Sequence, residues 1–85
     1  MTNRVINAAT QLGRVIAIML DGRWRTLRDI ERECWIRFGH ADTQAAISAR
    51  LREVGRMGFE KQAQHRRINE KQVWFYSISK GKEAA

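Results

Sequence analysis

The chain has 85 residues, of which 44% are hydrophobic, and it carries a formal net charge of +7. This length allows one small domain with a single modest core, and the hydrophobic fraction excludes a wholly disordered chain. A strong positive excess is typical of proteins that bind an acidic partner, nucleic acid first and an anionic membrane second.

The positive charge is concentrated in the second half of the chain. Residues 43–82 hold nine Lys or Arg against three Glu, whereas residues 1–42 hold seven Arg against five acidic residues. The longest apolar run, residues 15–20, is too short to span a bilayer, and the N-terminus lacks the pattern of a secretory signal. Cys34 is the single cysteine, so no intramolecular disulfide can form. We therefore predict a cytoplasmic protein with no membrane partner.

The first predicted element is a helix over residues 4–20, because apolar residues recur there at helical spacing. Asp21 and Gly22 end this helix, and Gly13 indicates close packing against a neighbour. Residues 23–25 alternate polar and apolar side chains, which predicts a short strand.

A second helix is predicted to begin at Thr26. Thr26 and Asp29 have the spacing of a capping box, with Asp in place of the usual Glu. Gly39 suits the left-handed position that ends a helix. The side chains expected to face the core are Leu27, Ile30, Cys34 and Phe38, with Trp35 along the flank.

The segment from Asp42 to Gly58 predicts a short amphipathic helix with Asp42 as its N-cap. Ile47, Leu51 and Val54 form its buried stripe. The opposite face is small near the N-terminus and cationic toward the C-terminus. Such a face suits a helix that enters a DNA major groove, although an ordinary solvated helix face is the alternative. The residues on this face are Ala45, Ser48, Ala49, Arg52 and Arg56.

Beyond Gly58 the hydrophobic period changes from helical to alternating. This predicts strands over residues 59–68 and 73–78, joined by a turn at 69–72. Trp74, Tyr76 and Ile78 share the face expected to meet the core. Val73 and Phe75 are expected to face outward, which predicts a homodimer or protein-partner surface.

Four aromatic residues of the chain have two interpretations. They can stack on nucleic-acid bases, as in proteins that bind single strands, or they can fill the core. Their spacing favours the core, with Trp24 filling the gap between the first helix and the sheet. The four are Trp24, Trp35, Trp74 and Tyr76.

Three segments together resemble a known family. Residues 22–30 read GRWRTLRDI and match the pattern G-x-W-x-T-L-x-x-I that joins the first two helices of many winged-helix proteins. Residues 45–52, AAISARLR, resemble the recognition helix of small winged-helix proteins of phages and prophages. Residues 58–59 and 74–78 lie where that family has its wing strands. The resemblance implies an α+β winged helix-turn-helix domain over residues 1–79, followed by a flexible tail at 80–85.

The resemblance also implies that the third helix enters the major groove and that the wing contacts the phosphate backbone or the minor groove. Gln44 then suits adenine, Arg52 suits guanine, and Ser48 suits either a base or a phosphate. The predicted DNA-binding residues are Arg28, Thr43, Gln44, Ala45, Ser48, Ala49, Arg52, Arg56, Lys61, Arg66, Arg67 and Lys71, with His65 among the wing cations.

These assignments have plainer alternatives. Gln44 can bond only water in the first turn of the helix. Arg50, at the edge of the buried stripe, can pair with Glu53 or Glu31. The wing cations can serve to protect an exposed strand edge from pairing with another sheet.

Catalytic and metal-binding patterns are weak. Cys34, His40 and His65 lack the paired spacing of zinc ligands, and Asp29, Glu31 and Glu33 form no acid pair with a nucleophile. We predict no enzymatic activity, no metal, no cofactor and no small-molecule substrate.

The leading hypothesis is a double-stranded DNA-binding protein, regulatory or accessory, acting in phage or prophage transcription, excision or replication. The alternatives are a winged-helix adaptor that binds protein partners, an inhibitor of a host protein, and an RNA-binding protein. The charge on residues 43–82 favours nucleic acid, whereas outward-facing Val73 and Phe75 favour a protein partner.

Overall fold

The computed structural model describes residues 6–81 and has α+β architecture, with three helices followed by a two-stranded antiparallel hairpin. The helices are α1 (Gln11–Met19), α2 (Leu27–Phe38) and α3 (Gln44–Leu51), and a 3-10 turn follows at Val54–Met57. The hairpin consists of β1 (Phe59–Ile68) and β2 (Lys71–Lys80). The predicted order of three helices followed by two strands is confirmed.

The first helix begins later than its apolar periodicity predicts. Thr10 is the N-cap of α1, and its hydroxyl accepts a hydrogen bond from the Gly13 amide. The Asn7 side chain accepts from the Ala9 amide and holds the preceding residues in a turn. The prediction that the helix already includes residues 6–10 is therefore wrong. Residues 4 and 5, where the helix was predicted to start, lie outside the described part of the chain. Gly13 packs closely, as predicted, because a Cβ there would overlap the Asn7 carbonyl.

The capping box of α2 is confirmed in full. The Thr26 hydroxyl accepts from the Asp29 amide, and the Asp29 carboxylate accepts from the Thr26 amide, both at 3.0 Å. Gly39 adopts the left-handed conformation with φ 66°, where glycine avoids the steric cost that other residues incur.

The third helix is shorter than predicted, and its cap is different. α3 ends at Leu51, and the chain continues through the 3-10 turn to Gly58. Thr43, not Asp42, is the N-cap, and its hydroxyl accepts from the Ala46 amide. Asp42 pairs with Arg14 of α1 instead. Its carboxylate lies in the protein interior and accepts hydrogen bonds from Arg14 Nε at 2.9 Å and Nη2 at 3.0 Å. This buried ion pair fixes the start of α3 against α1.

The hairpin pairs without interruption from Phe59 opposite Lys80 to Ile68 opposite Lys71. Its turn has only two central residues, Asn69 and Glu70, both with positive φ (51° and 65°). This is the backbone of a type I′ turn, which matches the twist of a tight hairpin. The predicted four-residue turn is therefore too long.

Two strand predictions differ from the structure, one before α2 and one at the end of β2. Of the strand predicted at residues 23–25, only one bridge forms, from Arg25 to Tyr76. β2 includes Lys80, and the Gly81 amide donates to the Gly58 carbonyl at 2.8 Å. Ordered structure thus continues two residues past the predicted boundary at 79, and residues 82–85 lie outside the described part.

The core lies among the three helices and the base of the hairpin. Its fully buried side chains include the predicted Ile30, Cys34, Ile47, Leu51, Val54 and Ile78, together with Val15, Ile16, Ile18 and Met19. Leu12, Leu27, Phe38 and Tyr76 pack against it while remaining partly exposed.

Trp24 and Trp74 are not core residues. Trp24 is 39% exposed and Trp74 is 47% exposed. Trp74 does share a strand face with Tyr76 and Ile78, as its alternation requires. The core covers that face at Ile78 and in part at Tyr76, so Trp74, which is closer to the turn, lies beyond the core. Trp35 is also exposed, at 63%.

Candidate nucleic-acid interface

The outward face of α3 carries the predicted small and cationic side chains. Thr43, Gln44, Ala45 and Arg52 are exposed, and Ser48 and Ala49 are half-buried. Gln44, Ser48 and Arg52 follow each other at intervals of four residues and therefore share one face of the helix. Arg52 is the C-cap residue, and within residues 6–81 its side chain makes no hydrogen bond or ion pair.

Gln44 is already engaged in the structure. Its side-chain amide donates to the Glu31 carboxylate at 3.0 Å, which joins the start of α3 to α2. This contact leaves the Gln44 carbonyl and the second N–H of its amide available for other hydrogen bonds. It also places a negative charge beside the outward face of α3, where a DNA phosphate or base edge would meet it.

Two other arginines of this region share one acidic partner. Arg50 Nη2 lies 2.9 Å from the Glu53 carboxylate, and Arg56 Nη1 lies 3.2 Å from it. The predicted pairing of Arg50 with Glu53 is confirmed. Arg56 nevertheless remains largely exposed, at 74% of its side chain.

A cleft of about 400 Å³ separates the start of α2 from the outer half of β2, and we call it the hairpin cleft. It brings together residues from α2, α3 and the hairpin. Arg28 is exposed on its rim and, among residues 6–81, makes no hydrogen bond or ion pair. The residues that line the cleft are Thr26, Leu27, Arg28, Gln44, Gln72, Val73, Trp74 and Tyr76.

The predicted wing cations differ in what they contact. The Arg66 guanidinium lies over the Phe75 ring, 4.8 Å from its centroid, and Lys61 Nζ lies 5.8 Å from the Tyr76 centroid. Arg67 and Lys71 are exposed and lack any hydrogen bond or ion pair with the described residues. All four cations are exposed.

The outward surface predicted at Val73 and Phe75 is less exposed than expected. Both residues are half-buried, and Phe75 carries the Arg66 guanidinium on its ring. They do lie on the strand face opposite Trp74, as predicted. The most exposed apolar side chains of the described residues instead include Trp35 and Ile36 on α2, at 63% and 66%.

Sequence reasoning missed the buried pair of Arg14 and Asp42, which positions α3. Hydrogen bonds from Arg14 hold the pKa of Asp42 at about 2, against an ordinary value of 3.8. One signal was available, since Arg14 interrupts an apolar stretch of α1 and a charge there requires a partner. The partner itself, 28 residues away, carries no local signal.

Cys34 lies beside this pair in the core. Burial first, and then a hydrogen bond to Asp42, raise the pKa of its thiol to about 12. The thiol is therefore neutral and poorly nucleophilic at neutral pH. In the part of the chain that the structure describes, no three His, Cys, Asp or Glu side chains come together as metal ligands would.

No helix within residues 6–81 has the length and apolar character needed to cross a membrane. No protein-family model, no curated protein and no solved structure matches the chain. The functional inference therefore depends on the arrangement of side chains described above.

Proposed function

We propose that the protein binds double-stranded DNA as a winged helix, with α3 in the major groove and the hairpin as a wing on the phosphate backbone. The observation that carries the proposal is the hairpin cleft, where α2, α3 and the hairpin meet. Each of these three elements also presents an exposed cation that is unpaired within residues 6–81. These cations are Arg28 on α2, Arg52 at the end of α3, and Arg67 and Lys71 on the hairpin.

The side chains of α3 suit a base-reading role. Ala45 and Ala49 are small enough to let the helix approach the floor of the major groove. Arg52 has the bidentate donors that match the O6 and N7 acceptors of guanine, and Ser48 can bond to a base or a phosphate. Gln44 suits adenine, and one N–H of its amide is already bonded to Glu31.

The hairpin and Arg28 supply affinity that does not depend on sequence. Lys61, Arg66, Arg67 and Lys71 are all exposed along the hairpin. Phosphate contacts by such cations release counterions from DNA and fix the orientation of the protein on the duplex. The regulatory or accessory role in a phage or prophage is proposed from the sequence resemblance.

The proposal is tested by selecting the duplexes that the protein binds and comparing two arginine variants on them. We expect Arg52→Ala to cost roughly 1–3 kcal/mol on the selected sequence and much less on random DNA, because a base contact exists only at the right base. Arg56→Ala is the matched control and should weaken both duplexes similarly. Equal losses for Arg52→Ala on both duplexes would make Arg52 a phosphate contact and remove the base-reading role of α3.

A second candidate function is that of a protein adaptor. The adjacent exposed side chains of Trp35 and Ile36 favour it, because neighbouring large apolar residues on a surface often mark a protein interface. An adaptor would retain its partner when the hairpin cations are removed, whereas a DNA-binding protein would lose its duplex.

A further inference from the structure

Trp74 lies outside the hydrophobic core. Its side chain is 47% exposed and lines the hairpin cleft. Its ring meets His65 edge-to-face, at a centroid distance of 5.0 Å and an interplanar angle of 68°. Tryptophan is usually well buried because its large ring contributes strongly to a core. A half-exposed ring on the wall of a cleft is instead available to a ligand.

The rest of the cleft has a distinct chemical character. Its volume of about 400 Å³ falls within the range of about 300–1,000 Å³ that is common for small-molecule sites. Leu27 and Tyr76 provide apolar walls, and Gln44 and Gln72 provide side-chain amides. The single charged side chain among the lining residues is the cation Arg28.

These features together match one kind of occupant. A flat heterocycle stacks on an indole ring, the amides can bond to its polar edge, and a guanidinium binds a phosphate that is attached to it. No carboxylate is among the described residues that line the cleft, and the Glu31 carboxylate beside it is bonded to the Gln44 amide. We infer that the hairpin cleft binds one unpaired nucleotide of DNA, with its base stacked on Trp74 and its phosphate beside Arg28.

This inference rests on the proposed DNA-binding function and narrows its target. In a continuous duplex both faces of a base are covered by its neighbours, so a base must leave the stack before it can meet Trp74. An unpaired nucleotide avoids that cost. The protein should therefore favour duplexes that carry a bulge, a junction or an overhang over continuous duplexes.

The test compares two duplexes with equal numbers of phosphates, one continuous and one with a single unpaired thymine at its centre. The 85-residue chain carries Trp24→Phe and Trp35→Phe, so that Trp74 is the one remaining tryptophan of three. Labelled-DNA anisotropy gives the affinities. We expect about 5- to 100-fold tighter binding of the bulged duplex, the range that stacking of one base on an aromatic side chain supports. Trp74 fluorescence should be quenched by the bulged duplex and much less by the continuous one.

Two substitutions in this background separate stacking from folding. Trp74→Phe keeps an aromatic face and should retain most of the preference, whereas Trp74→Ala should abolish it. In the otherwise unaltered chain, Trp35→Ala is the matched control, since it removes an exposed tryptophan of α2 that does not line the cleft. This variant should retain the preference. Far-ultraviolet circular dichroism verifies that each variant is folded.

Equal affinity for the two duplexes would overturn the inference, and so would a preference that survives in Trp74→Ala. If the continuous duplex binds and the preference is absent, the cleft does not take a nucleotide while the proposed DNA binding stands. If neither duplex binds at low salt, the proposed function itself fails.

Discussion

The substitution Asp42→Asn should destabilise the protein strongly, although it changes only one side-chain atom. Asp42 is 8% exposed, and Arg14, its partner, is 5% exposed. The Arg14 guanidinium also donates to the carbonyls of Ala8 and Ala9, so it is held in place and cannot turn toward solvent without breaking these bonds. In the Asp42→Asn variant, the positive charge of Arg14 stays buried without a counter-charge.

The magnitude follows from two observations. The pKa of Asp42 is about 2 against an ordinary value of 3.8, and at 1.36 kcal/mol per unit this difference corresponds to roughly 2 kcal/mol of stability. Removal of one partner from a buried ion pair costs about 3–5 kcal/mol, because the other charge remains unpaired. We therefore expect Asp42→Asn to lower the free energy of unfolding by about 3 kcal/mol at neutral pH.

The pH dependence gives a more specific signature. Because the pKa of Asp42 is lowered in the folded state, its contribution is complete above about pH 4 and is lost as the pH falls toward about 2. The stability difference between wild type and Asp42→Asn should therefore shrink across that interval. Asp21, whose pKa is lowered first by its hydrogen bond from Arg25, titrates in both proteins and cancels from the comparison.

Urea denaturation of both proteins from about pH 5 to about pH 2 measures this difference directly. Glu33→Gln provides the control, because it weakens a partly exposed ion pair with Arg37 and should cost less than about 1 kcal/mol. A cost below about 1 kcal/mol for Asp42→Asn would refute the reasoning. A stability difference that stays constant over this pH range would also refute it.

Three further predictions concern packing and the interface. Leu51→Ala should cost about 2–5 kcal/mol in denaturant unfolding, because Leu51 is fully buried and its removal leaves a cavity; a cost under about 1 kcal/mol would contradict its place in the core. Gly13→Ala should lower the melting temperature despite the higher helix propensity of alanine, because the added Cβ meets the Asn7 carbonyl; an unchanged or raised value would contradict that contact. Glu31→Gln should tighten duplex binding, because it removes a carboxylate beside α3 and weakens the hydrogen bond from the Gln44 amide. Weaker binding in an anisotropy titration would contradict this prediction and show that Glu31 positions Gln44 instead.

Features with a local cause could be predicted from the sequence. The capping box at Thr26, the left-handed glycine at Gly39 and the buried stripe of α3 each depend on residues a few positions apart. The strand pattern likewise predicted which residues share a face of the hairpin. The α3 side chains of the candidate site followed from the same helical spacing.

Features that depend on tertiary structure could not be predicted in this way. Asp42 has the right residue type for an N-cap, but a partner 28 residues away draws it into the interior and leaves Thr43 to cap the helix. The alternation of side chains along β2 places Trp74 on the inner face of that strand. This pattern does not show how far the helices extend along the face. The hairpin cleft is likewise a tertiary feature, because it lies where the start of α2, the start of α3 and the outer half of β2 meet.

The central claim, that the protein binds duplex DNA through its hairpin cations, is tested most directly by measuring affinity for one duplex as a function of salt. The comparison is between wild type and a variant with both Arg66→Ala and Arg67→Ala. For wild type we expect the logarithm of the binding constant to fall linearly with the logarithm of the salt concentration. The double variant should bind all duplexes more weakly, with a slope shallower by about one for each lost phosphate contact. Affinity that is independent of salt, or no duplex binding at low salt, would contradict the claim and favour the adaptor function.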